Sequence, residues 1–365
     1  MHIFHTEWSH GWGGQEIRII TEMEALIGEG IEASIACHPD SQIYKEAKNR
    51  NFQTYPIKFG TPANLFTIIQ LGILARRIKA SIIHTHSSKD SWIGGIAGKL
   101  FNIPVVRSRH LASPIKTKPT NQLLYRILPS AIIASGETIK KQVFEAARVP
   151  QDRIFSVPAG ADPKRFKASA AIRIETRDRL GIPEKATVFG MVSVLRSWKG
   201  HLLFLEAIEP IIKSDDSIWV LIVGEGPIRD LIESKIDEFG ISNQVILTGH
   251  CSDPENYYPA MDVHLLPSLR NEATSQSVPQ AMMCQIANIT SDGGGLTEVV
   301  NDGITGLIAK AGDRDSLAHC IAKLSNNPDL RAKLAKAGQK NALENFTFER
   351  QVNRTKEAYR FAVSS

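Results

Sequence analysis

Short apolar runs alternate with helical patterns along the whole chain. In the first half, runs rich in β-branched residues predict strands at 33–37, 81–84, 105–106 and 131–134, and helices at 16–28, 65–79, 93–101 and 137–147. The second half repeats the scheme, with predicted strands at 187–194, 219–223, 245–248, 263–266 and 287–290. No repeat of fixed period accompanies it. This alternation predicts an α/β protein with a mostly parallel sheet in each half.

The length of the chain predicts two domains. At 365 residues it is longer than a single hydrophobic core usually grows. The Pro/Gly-rich stretch at 157–163 is the best junction, and an amphipathic helix at 348–361 closes the chain. We therefore predict one doubly wound domain over 1–165 and a second over 166–345. A hinge between them would leave a cleft, and ligands of such sheets gather at the carboxyl ends of the strands.

Composition indicates a globular protein in a reducing compartment. Hydrophobic residues make up 42% of the chain and charged residues 22%. The four cysteines are scattered without Cys-x-x-Cys spacing, which argues against a disulfide framework or a zinc site. The first residues are polar and lack the apolar core of a signal peptide, so we expect a cytoplasmic location.

Charge is unevenly distributed between the two halves. The net charge is +5, yet residues 1–165 hold 21 Lys+Arg against 13 Asp+Glu, and the rest hold 22 against 25. A basic first half can attract nucleic acid, an anionic membrane face or a phosphorylated substrate, or can serve only as a solubilising surface. Nucleic acid is disfavoured, because no stripe of interleaved aromatic and basic residues accompanies the positive charge.

The segment 65–75 is nearly all apolar, but about 11 residues are too few to span a bilayer. Its basic continuation at 76–79 makes a helix that could lie on a membrane surface. A buried core helix with a basic tail is the favoured interpretation.

Two segments of the second half carry the strongest candidate chemistry. The first, SVLRSWKG at 193–200, is a strand end followed by a basic loop and a helix start, where backbone N–H groups and Lys199 could receive a phosphate. The second, at 267–280, places Glu272 ahead of small polar residues and ends with Gln280. That arrangement could hold a sugar hydroxyl at one end and a ribose at the other.

A glycine-rich turn, GWGGQE at 11–16, lies between a further strand predicted at the start of the chain and the helix predicted at 16–28. Its glycines would let the backbone approach a phosphate, although a plain tight turn fits equally. The turn does not match Gly-x-Gly-x-x-Gly, and no strand ending in an acid follows at the right distance. A nicotinamide cofactor is therefore disfavoured.

Histidine and arginine residues follow the next predicted strands. His84 and His86 would lie on one side of an extended chain and could form two metal ligands, but no third ligand stands at a suggestive spacing. His86 could line the cleft or be a hydrogen-bonded core residue. Arg107, Arg109 and His110 form a basic cluster that could meet an acceptor's phosphate or lie in a solvated loop.

Two further turns have a structural and a functional interpretation. Glycines on both sides of Glu225, within 223–227, reverse the chain whatever the function. The glycines at 293–295 precede Glu298, which could cap a helix or face a ligand.

Taken together, these segments resemble a known family. The chain is similar to the retaining, nucleotide-sugar-dependent glycosyltransferases of family 4, which have the GT-B fold of two Rossmann-like domains facing a central cleft. The segments that carry the resemblance span nearly the whole chain in order: 13–16, 84–86, 157–162, 199–200, 223–227, 267–268, 272–280, 292–298 and 302–306.

The resemblance implies roles for individual residues. Lys199, Glu272 and His86 would be catalytic, with Lys199 on the diphosphate, Glu272 on the sugar hydroxyls and His86 lining the reaction centre. The implied donor-binding residues are Gly13, Gly14, Glu225, Ser275, Gln276, Ser277, Val278 and Gln280. To these we add Arg196 as a donor-binding candidate, and Glu16, Arg107, Arg109 and His110 as acceptor-binding candidates. The first domain would bind the acceptor and the second the nucleotide sugar, while the last helix, 346–365, would cross back to the first domain.

Two departures from the family pattern matter. The family usually has an arginine five residues before the lysine, where this chain has Val194. Arg196 is the candidate for the missing charge. The second glutamate of the family's Glu-x7-Glu pair is here Gln280, and a neutral amide binds ribose hydroxyls more weakly than a carboxylate by about 1 kcal/mol.

The resemblance implies a retaining, metal-independent hexosyltransferase that needs no cofactor apart from its nucleotide-sugar donor. The expected acceptor is a hydroxyl of a glycan or lipid-linked molecule, in lipopolysaccharide or other cell-surface polysaccharide assembly, with peripheral contact to an anionic membrane and no nucleic-acid partner. Two alternatives stay open. One is a nucleotide-sugar epimerase on the same scaffold, and the other is a non-catalytic protein that binds sugar nucleotides.

Overall fold

The protein folds as two compact units. The computed structural model describes residues 1–61, 64–270 and 272–365. One unit comprises Met1–Pro158 with Gln351–Ser365, and the other Ala159–Arg350. Asn271, inside the candidate segment 267–280, lies outside the described residues. The two units divide after Pro158, in the Pro/Gly-rich stretch.

The first unit is built on a parallel sheet of seven strands: β1 His2–Glu7, β2 Glu32–Cys37, β3 Gln53–Pro56, β4 Ile82–Thr85, β5 Val105–Arg109, β6 Ala131–Ala134 and β7 Ile154–Ser156. Their order is β3-β2-β1-β4-β5-β6-β7. All residues of β1, β4 and β6 are buried, as expected where helices cover both faces of a parallel sheet. The helices are α1 Gly14–Gly28, α2 Gln42–Asn49, α3 Leu65–Arg77, α4 Ser88–Phe101, α5 Pro119–Gln122 and α6 Glu137–Ala147, with a π turn at Leu123–Ile127 and a 3-10 turn at Gln151–Arg153.

The second unit is built on a parallel sheet of six strands: β8 Thr187–Val192, β9 Ile218–Val223, β10 Val245–Leu247, β11 Val263–Leu266, β12 Ala287–Ser291 and β13 Leu307–Ala309. Their order is β10-β9-β8-β11-β12-β13. The helices are α7 Ala170–Leu180, α8 His201–Ser214, α9 Arg229–Phe239, α10 Ser277–Met283, α11 Arg314–Ser325 and α12 Pro328–Asn345. Short 3-10 turns lie at Ser197–Lys199, Pro254–Asn256, Tyr258–Ala260 and Leu296–Glu298.

The last helix, α13 Phe348–Ser364, ends in the first unit. There, Tyr359 is fully buried, and its hydroxyl donates to Oε1 of Glu22 on α1 at 3.1 Å. The hydroxyl of Thr355 donates to the other oxygen of the same carboxylate at 3.3 Å. The C-terminal segment is therefore held by buried polar contacts as well as by apolar packing.

Strand order reverses once in each sheet. In the first unit the chain passes from β1 outward to β3 and then starts again on the other side of β1 with β4. In the second unit the same change of direction falls between β8 and β11. In open parallel sheets, ligands bind at such a point, just beyond the carboxyl ends of the two strands.

The predicted strands all exist, the edge strand β10 among them, but three other edge strands were missed and no bounds were predicted for the central β1. Strands β6 and β11 have the predicted bounds. The sequence analysis missed β3, β7 and β13, which are edge strands of three or four residues and too short to show a pattern. It also started α4 at residue 93, five residues late. A capping box between Ser87 and Asp90 begins this helix at Ser88.

Helix α3 departs from the favoured prediction. Its Ile68, Leu71 and Ala75 are buried, but large apolar side chains on the opposite face are exposed. The prediction of a buried core helix is therefore wrong for half of its surface. Across the described ranges, no helix is both long and apolar enough to cross a membrane.

Candidate active site

Lys199 lies just beyond the carboxyl end of β8, in the 3-10 turn that leads into α8. Gly200 makes the turn possible. Its φ is +87°, and a Cβ there would lie 2.2 Å from the carbonyl oxygen of Pro267. The N–H of Leu269 donates to the carbonyl of Trp198 at 2.7 Å. These contacts fix the loop after β8 against the loop after β11.

Lys199 and Glu272, 73 positions apart in sequence, form an ion pair. Nζ of Lys199 lies 2.7 Å from Oε2 of Glu272, and the hydroxyl of Ser268 donates to the same oxygen at 2.9 Å. The two side chains are only 18% and 10% exposed, so the pair is partly shielded from water. Oε1 of Glu272 has no hydrogen-bond partner in the part of the chain that the structure describes. The structure thus joins the two residues on which the sequence hypothesis depends, at the reversal between β8 and β11.

The glycines that follow β12 hold the backbone of Glu272. Gly294 has φ +77°, and a Cβ at this position would lie 2.1 Å from the carbonyl oxygen of Glu272. The N–H of Gly295 donates to that oxygen at 2.9 Å. These glycines are needed because the backbone packs closely beside the candidate site. From the sequence alone, this structural role could not be distinguished from a role in ligand binding.

The segment after Glu272 leads into α10. Ser275 has a left-handed φ of +55°, and its hydroxyl lies 3.2 Å from that of Ser277. Gln276 occupies the N-cap position of α10 without a side-chain cap. The side chain of Val278 is fully buried, so only its backbone could meet a ligand.

Gln280 is oriented by a buried tyrosine. The hydroxyl of Tyr258 donates to Oε1 of Gln280 at 2.8 Å. This contact fixes the orientation of the amide and leaves its NH₂ group available to donate to a ligand. Tyr258 itself is fully buried and was missed by the sequence analysis.

Arg196 and Glu225 lie on adjoining loops of the second unit. The guanidinium of Arg196 is exposed and stands 5.1 Å from the ring centre of Trp198. The carbonyl of Glu225 accepts the N–H of Leu195 at 3.0 Å, while its carboxylate pairs with Arg229 at 3.0 Å. Their assigned roles in donor binding stay predictions.

In the first unit, the glycine-rich turn follows β1 at the reversal of that sheet. Gly13 is extended and forms the N-cap of α1 without a side-chain cap, and Gly14 is the first helical residue. Glu16, in the first turn of α1, is buried at 7% exposure. No described contact decides whether Gly13 and Gly14 bind donor or Glu16 binds acceptor.

Glu7, which the sequence analysis did not single out, ends β1 beside this turn. Its carboxylate accepts hydrogen bonds from the backbone N–H of Ser9 at 2.8 Å, the hydroxyl of Ser87 at 2.8 Å and the amide of Gln15 at 2.5 Å. Burial raises the pKa of Glu7 to about 7, against the lowering effect of these donors. The group therefore titrates near neutral pH.

His86 belongs to a buried chain of imidazoles. Nε2 of His86 is hydrogen-bonded to Nδ1 of His5 at 3.0 Å, and Nδ1 of His86 to Nε2 of His110 at 3.2 Å. Burial lowers the pKa of His5 to about 3 and the pKa values of His86 and His110 well below the usual 6.5. The three rings are neutral at physiological pH.

A third histidine for a metal site exists, which the sequence analysis missed. One ring nitrogen from each of His5, His84 and His86 lies within 4.8 Å of the others, close enough to hold a metal ion. His84, however, uses both nitrogens, toward the hydroxyls of Tyr359 at 2.7 Å and Ser108 at 2.8 Å. A metal ion here would displace such hydrogen bonds, and metal-independent catalysis stays a prediction.

The basic cluster after β5 is largely engaged within the first unit. Arg107 is buried, donates to the carbonyl of Leu124 at 3.1 Å and stacks 3.8 Å above the ring of Tyr125. Arg109 donates to the hydroxyl of Tyr125 and to the carbonyl of Ser113. The alternative of a solvated loop is therefore wrong for Arg107.

Two parallel, doubly wound sheets, each with polar residues at the reversal of strand order, define a Rossmann-like α/β protein of the nucleotide-binding class. Sequence models narrow the class. The model described as "Glycosyltransferase Family 4" matches residues 12–165, and the one described as "Glycosyl transferases group 1" matches residues 172–341. Together they span most of the chain. The protein belongs to the glycosyltransferases of family 4, and its fold is GT-B.

Individual proteins agree with this assignment. A relative from Escherichia coli, the UDP-Gal:alpha-D-GlcNAc-diphosphoundecaprenol alpha-1,3-galactosyltransferase, is 26% identical over 93% of this chain and 92% of its own length. A crystal structure of a glycosyltransferase from Rickettsia africae superposes with a TM-score of 0.88 at 20% identity, covering 100% of this chain and 99% of that one. Anabaena Alr3699/HepE in complex with UDP superposes with a TM-score of 0.87 at 19% identity, covering 98% and 99%.

Proposed function

We propose that this enzyme transfers a hexose from a nucleoside diphosphate sugar to a hydroxyl of a glycan or lipid-linked acceptor, with retention of the anomeric configuration. The observation that carries the proposal is the ion pair between Lys199 and Glu272 beyond the ends of β8 and β11. A cation and a carboxylate at that point supply a partner for a diphosphate and a partner for sugar hydroxyls.

Lys199 is proposed to stabilise the leaving group. The ammonium has three donors, and Glu272 occupies one of them, so two stay available for phosphate oxygens. As the bond from the anomeric carbon to the phosphate oxygen breaks, negative charge grows on the diphosphate. A preorganised cation in a partly dry site lowers the energy of that charge without a bound metal. Arg196, exposed on the same loop, is the proposed second cation.

Glu272 is proposed to orient the transferred sugar. One carboxylate oxygen already accepts from Lys199 and Ser268, which leaves Oε1 to accept from a sugar hydroxyl. Charge-assisted hydrogen bonds of this kind are about twice as strong as neutral ones. The neighbouring backbone from Ser275 to Val278 is proposed to take phosphate and sugar oxygens.

Gln280 is proposed to bind the ribose through its NH₂ group. Tyr258 orients the amide through its oxygen, and the NH₂ group of Gln280 would donate to a ribose oxygen, whereas a glutamate can only accept from a ribose hydroxyl. The substitution thus changes the direction of the hydrogen bond as well as its strength.

The first unit is proposed to bind the acceptor, with Glu16, Arg109 and His110 as candidates and His86 as its catalytic residue. A lipid-linked or glycan acceptor is supported by the E. coli relative, whose name gives a diphosphoundecaprenol-linked sugar as acceptor. A role in lipopolysaccharide or other cell-surface polysaccharide assembly, in the cytoplasm, completes the proposal. The four free thiols support a reducing compartment.

A two-stage experiment tests the proposal. Thermal shift against UDP, GDP, ADP and their common sugars should reveal a donor, because a ligand that binds only the folded state raises the melting temperature. HepE has been crystallised with UDP-glucose, so UDP sugars come first in the panel. The stabilising donor is then incubated with wild type and Glu272→Ala, with and without GlcNAc-diphosphoundecaprenol.

The outcomes separate the alternatives. Acceptor-dependent release of nucleoside diphosphate that Glu272→Ala abolishes supports transfer, and nuclear magnetic resonance of the product reports the anomeric configuration. Conversion of the donor to an isomer without acceptor would indicate an epimerase. Donor binding without any turnover, with or without GlcNAc-diphosphoundecaprenol, would indicate a non-catalytic binding protein.

A further inference from the structure

Helix α3 carries an apolar face that no described part of the chain covers. Phe66 is 75% exposed, Leu65 62%, Ile73 56% and Ile69 41%. At about 100° per residue these four side chains fall within an arc of about 100°. We call them the apolar face of α3. Contiguous exposed apolar residues of this size mark an interaction site on a folded protein.

The opposite face of α3 is fully used inside the first unit. Ile68, Leu71 and Ala75 are buried, and a Cβ at Gly72 would lie 2.1 Å from the ring of Phe101 on α4. The helix is therefore firmly seated, and the apolar face is its outward side. A helix with apolar side chains on two faces, of which only one is covered, needs a second apolar environment.

The chain segment that carries the apolar face is positively charged. From residue 47 to residue 89 the chain has seven Lys or Arg and no Asp or Glu. Arg76, Arg77 and Lys79 are exposed at the end of α3, and none of them has an ion-pair partner among the residues that the structure describes. Arg76 lies in line with the apolar face, about 20° around the helix from Leu65.

We propose that the apolar face of α3 docks on the surface of an anionic lipid bilayer. The helix would lie flat in the interface, with Phe66 and Ile73 inserted among acyl chains and Arg76, Arg77 and Lys79 at the lipid phosphates. Four large apolar side chains beside uncompensated cations complement such a surface, which offers hydrocarbon and negative charge together. A second copy of this chain would instead bring further uncompensated cations into the same interface. The proposal does not depend on the proposed sugar transfer.

Vesicle co-sedimentation of the full chain tests the proposal. Wild type should bind vesicles of phosphatidylcholine with 30% phosphatidylglycerol, and binding should fall as NaCl rises from about 0.05 to 0.5 M, because salt screens surface attraction. Phe66→Ser and Ile73→Ser should each weaken binding about tenfold or more, since each removes a side chain that inserts. Arg76→Gln with Arg77→Gln should weaken binding to anionic vesicles and flatten the salt dependence.

Ile174→Ser is the matched control. Ile174 is also an isoleucine in a helix, also 56% exposed, but lies in the second unit on α7. The Ile174→Ser variant should bind anionic vesicles like wild type. Equal binding by Ile73→Ser and Ile174→Ser, or no binding by wild type, would overturn the proposal. So would a dimer in analytical ultracentrifugation that Phe66→Ser dissociates, because a second copy would then be the occupant. The mutated side chains are exposed, so the variants should fold like wild type. Unchanged circular dichroism and an unchanged melting temperature check this.

Discussion

Replacing Lys199 with methionine is expected to separate the electrostatic role of this residue from its structural one. The change keeps a long apolar stem and removes the ammonium. The rate of sugar transfer should fall about 100-fold or more, which corresponds to about 2.7 kcal/mol of lost transition-state stabilisation. The assay is release of nucleoside diphosphate from the identified donor at saturating acceptor.

The same substitution should also destabilise the fold. Glu272 is only 10% exposed and would keep Ser268 as its sole hydrogen-bond donor among the described residues. A carboxylate left half-paired in such a site costs about 1–3 kcal/mol of unfolding free energy, measured by urea titration. Lys213→Met serves as control, because Lys213 pairs with Glu209 at 2.6 Å but is 53% exposed. Its loss should change stability by about 0.5 kcal/mol or less.

A double variant completes the test. Adding Glu272→Gln to Lys199→Met removes the unpaired charge, so stability should return toward that of wild type while transfer stays low. Turnover by Lys199→Met within about threefold of wild type would refute the leaving-group role. If Lys199→Met loses turnover and the double variant recovers both turnover and stability, the ion pair between Lys199 and Glu272 has only a structural role.

Three further predictions concern the surroundings of the site. Gly294→Ala should lower the free energy of unfolding by about 2–4 kcal/mol and displace the backbone of Glu272, because its Cβ would lie 2.1 Å from the carbonyl oxygen of Glu272. Gly312→Ala is the control, since Gly312 has a similar φ and a Cβ there would have nothing within 4 Å. In urea titrations it should lower the free energy of unfolding by about 1 kcal/mol. Gln280→Glu should lower the donor KM about fivefold by adding a charge-assisted hydrogen bond, and an unchanged KM would count against ribose contact. Burial raises the pKa of Glu7 to about 7, so its protonated folded form stabilises the protein at low pH, and this contribution is lost as the pH rises from about 4.5 through 7. Glu7→Gln should flatten the decline in unfolding free energy between pH 5 and 8, and an unaltered decline would contradict the assignment.

The sequence allowed correct prediction of most interior strands, and it singled out the two segments that the structure brings together at Lys199 and Glu272. Strands β6 and β11 have the predicted bounds because each is a short, fully buried run between clear breaks. Edge strands such as β3 were not predicted, because their residues are partly exposed and show no apolar pattern. The start of α4 was predicted too late, because Asp90 caps the helix through a contact with the backbone of Ser87. A search for apolar periodicity does not detect such a contact.

The sequence by itself determined which side chains are present, that the chain alternates strands with helices, and that Lys199 and Glu272 follow strand ends. Tertiary structure alone decided that β8 and β11 are neighbours, which brings these two groups to 2.7 Å. It likewise decided that β1 pairs with β4, with His5 opposite His84, and that one face of α3 stays uncovered. The physical reason is that strand order and helix docking depend on contacts between residues distant in the chain, which no local pattern of polarity encodes.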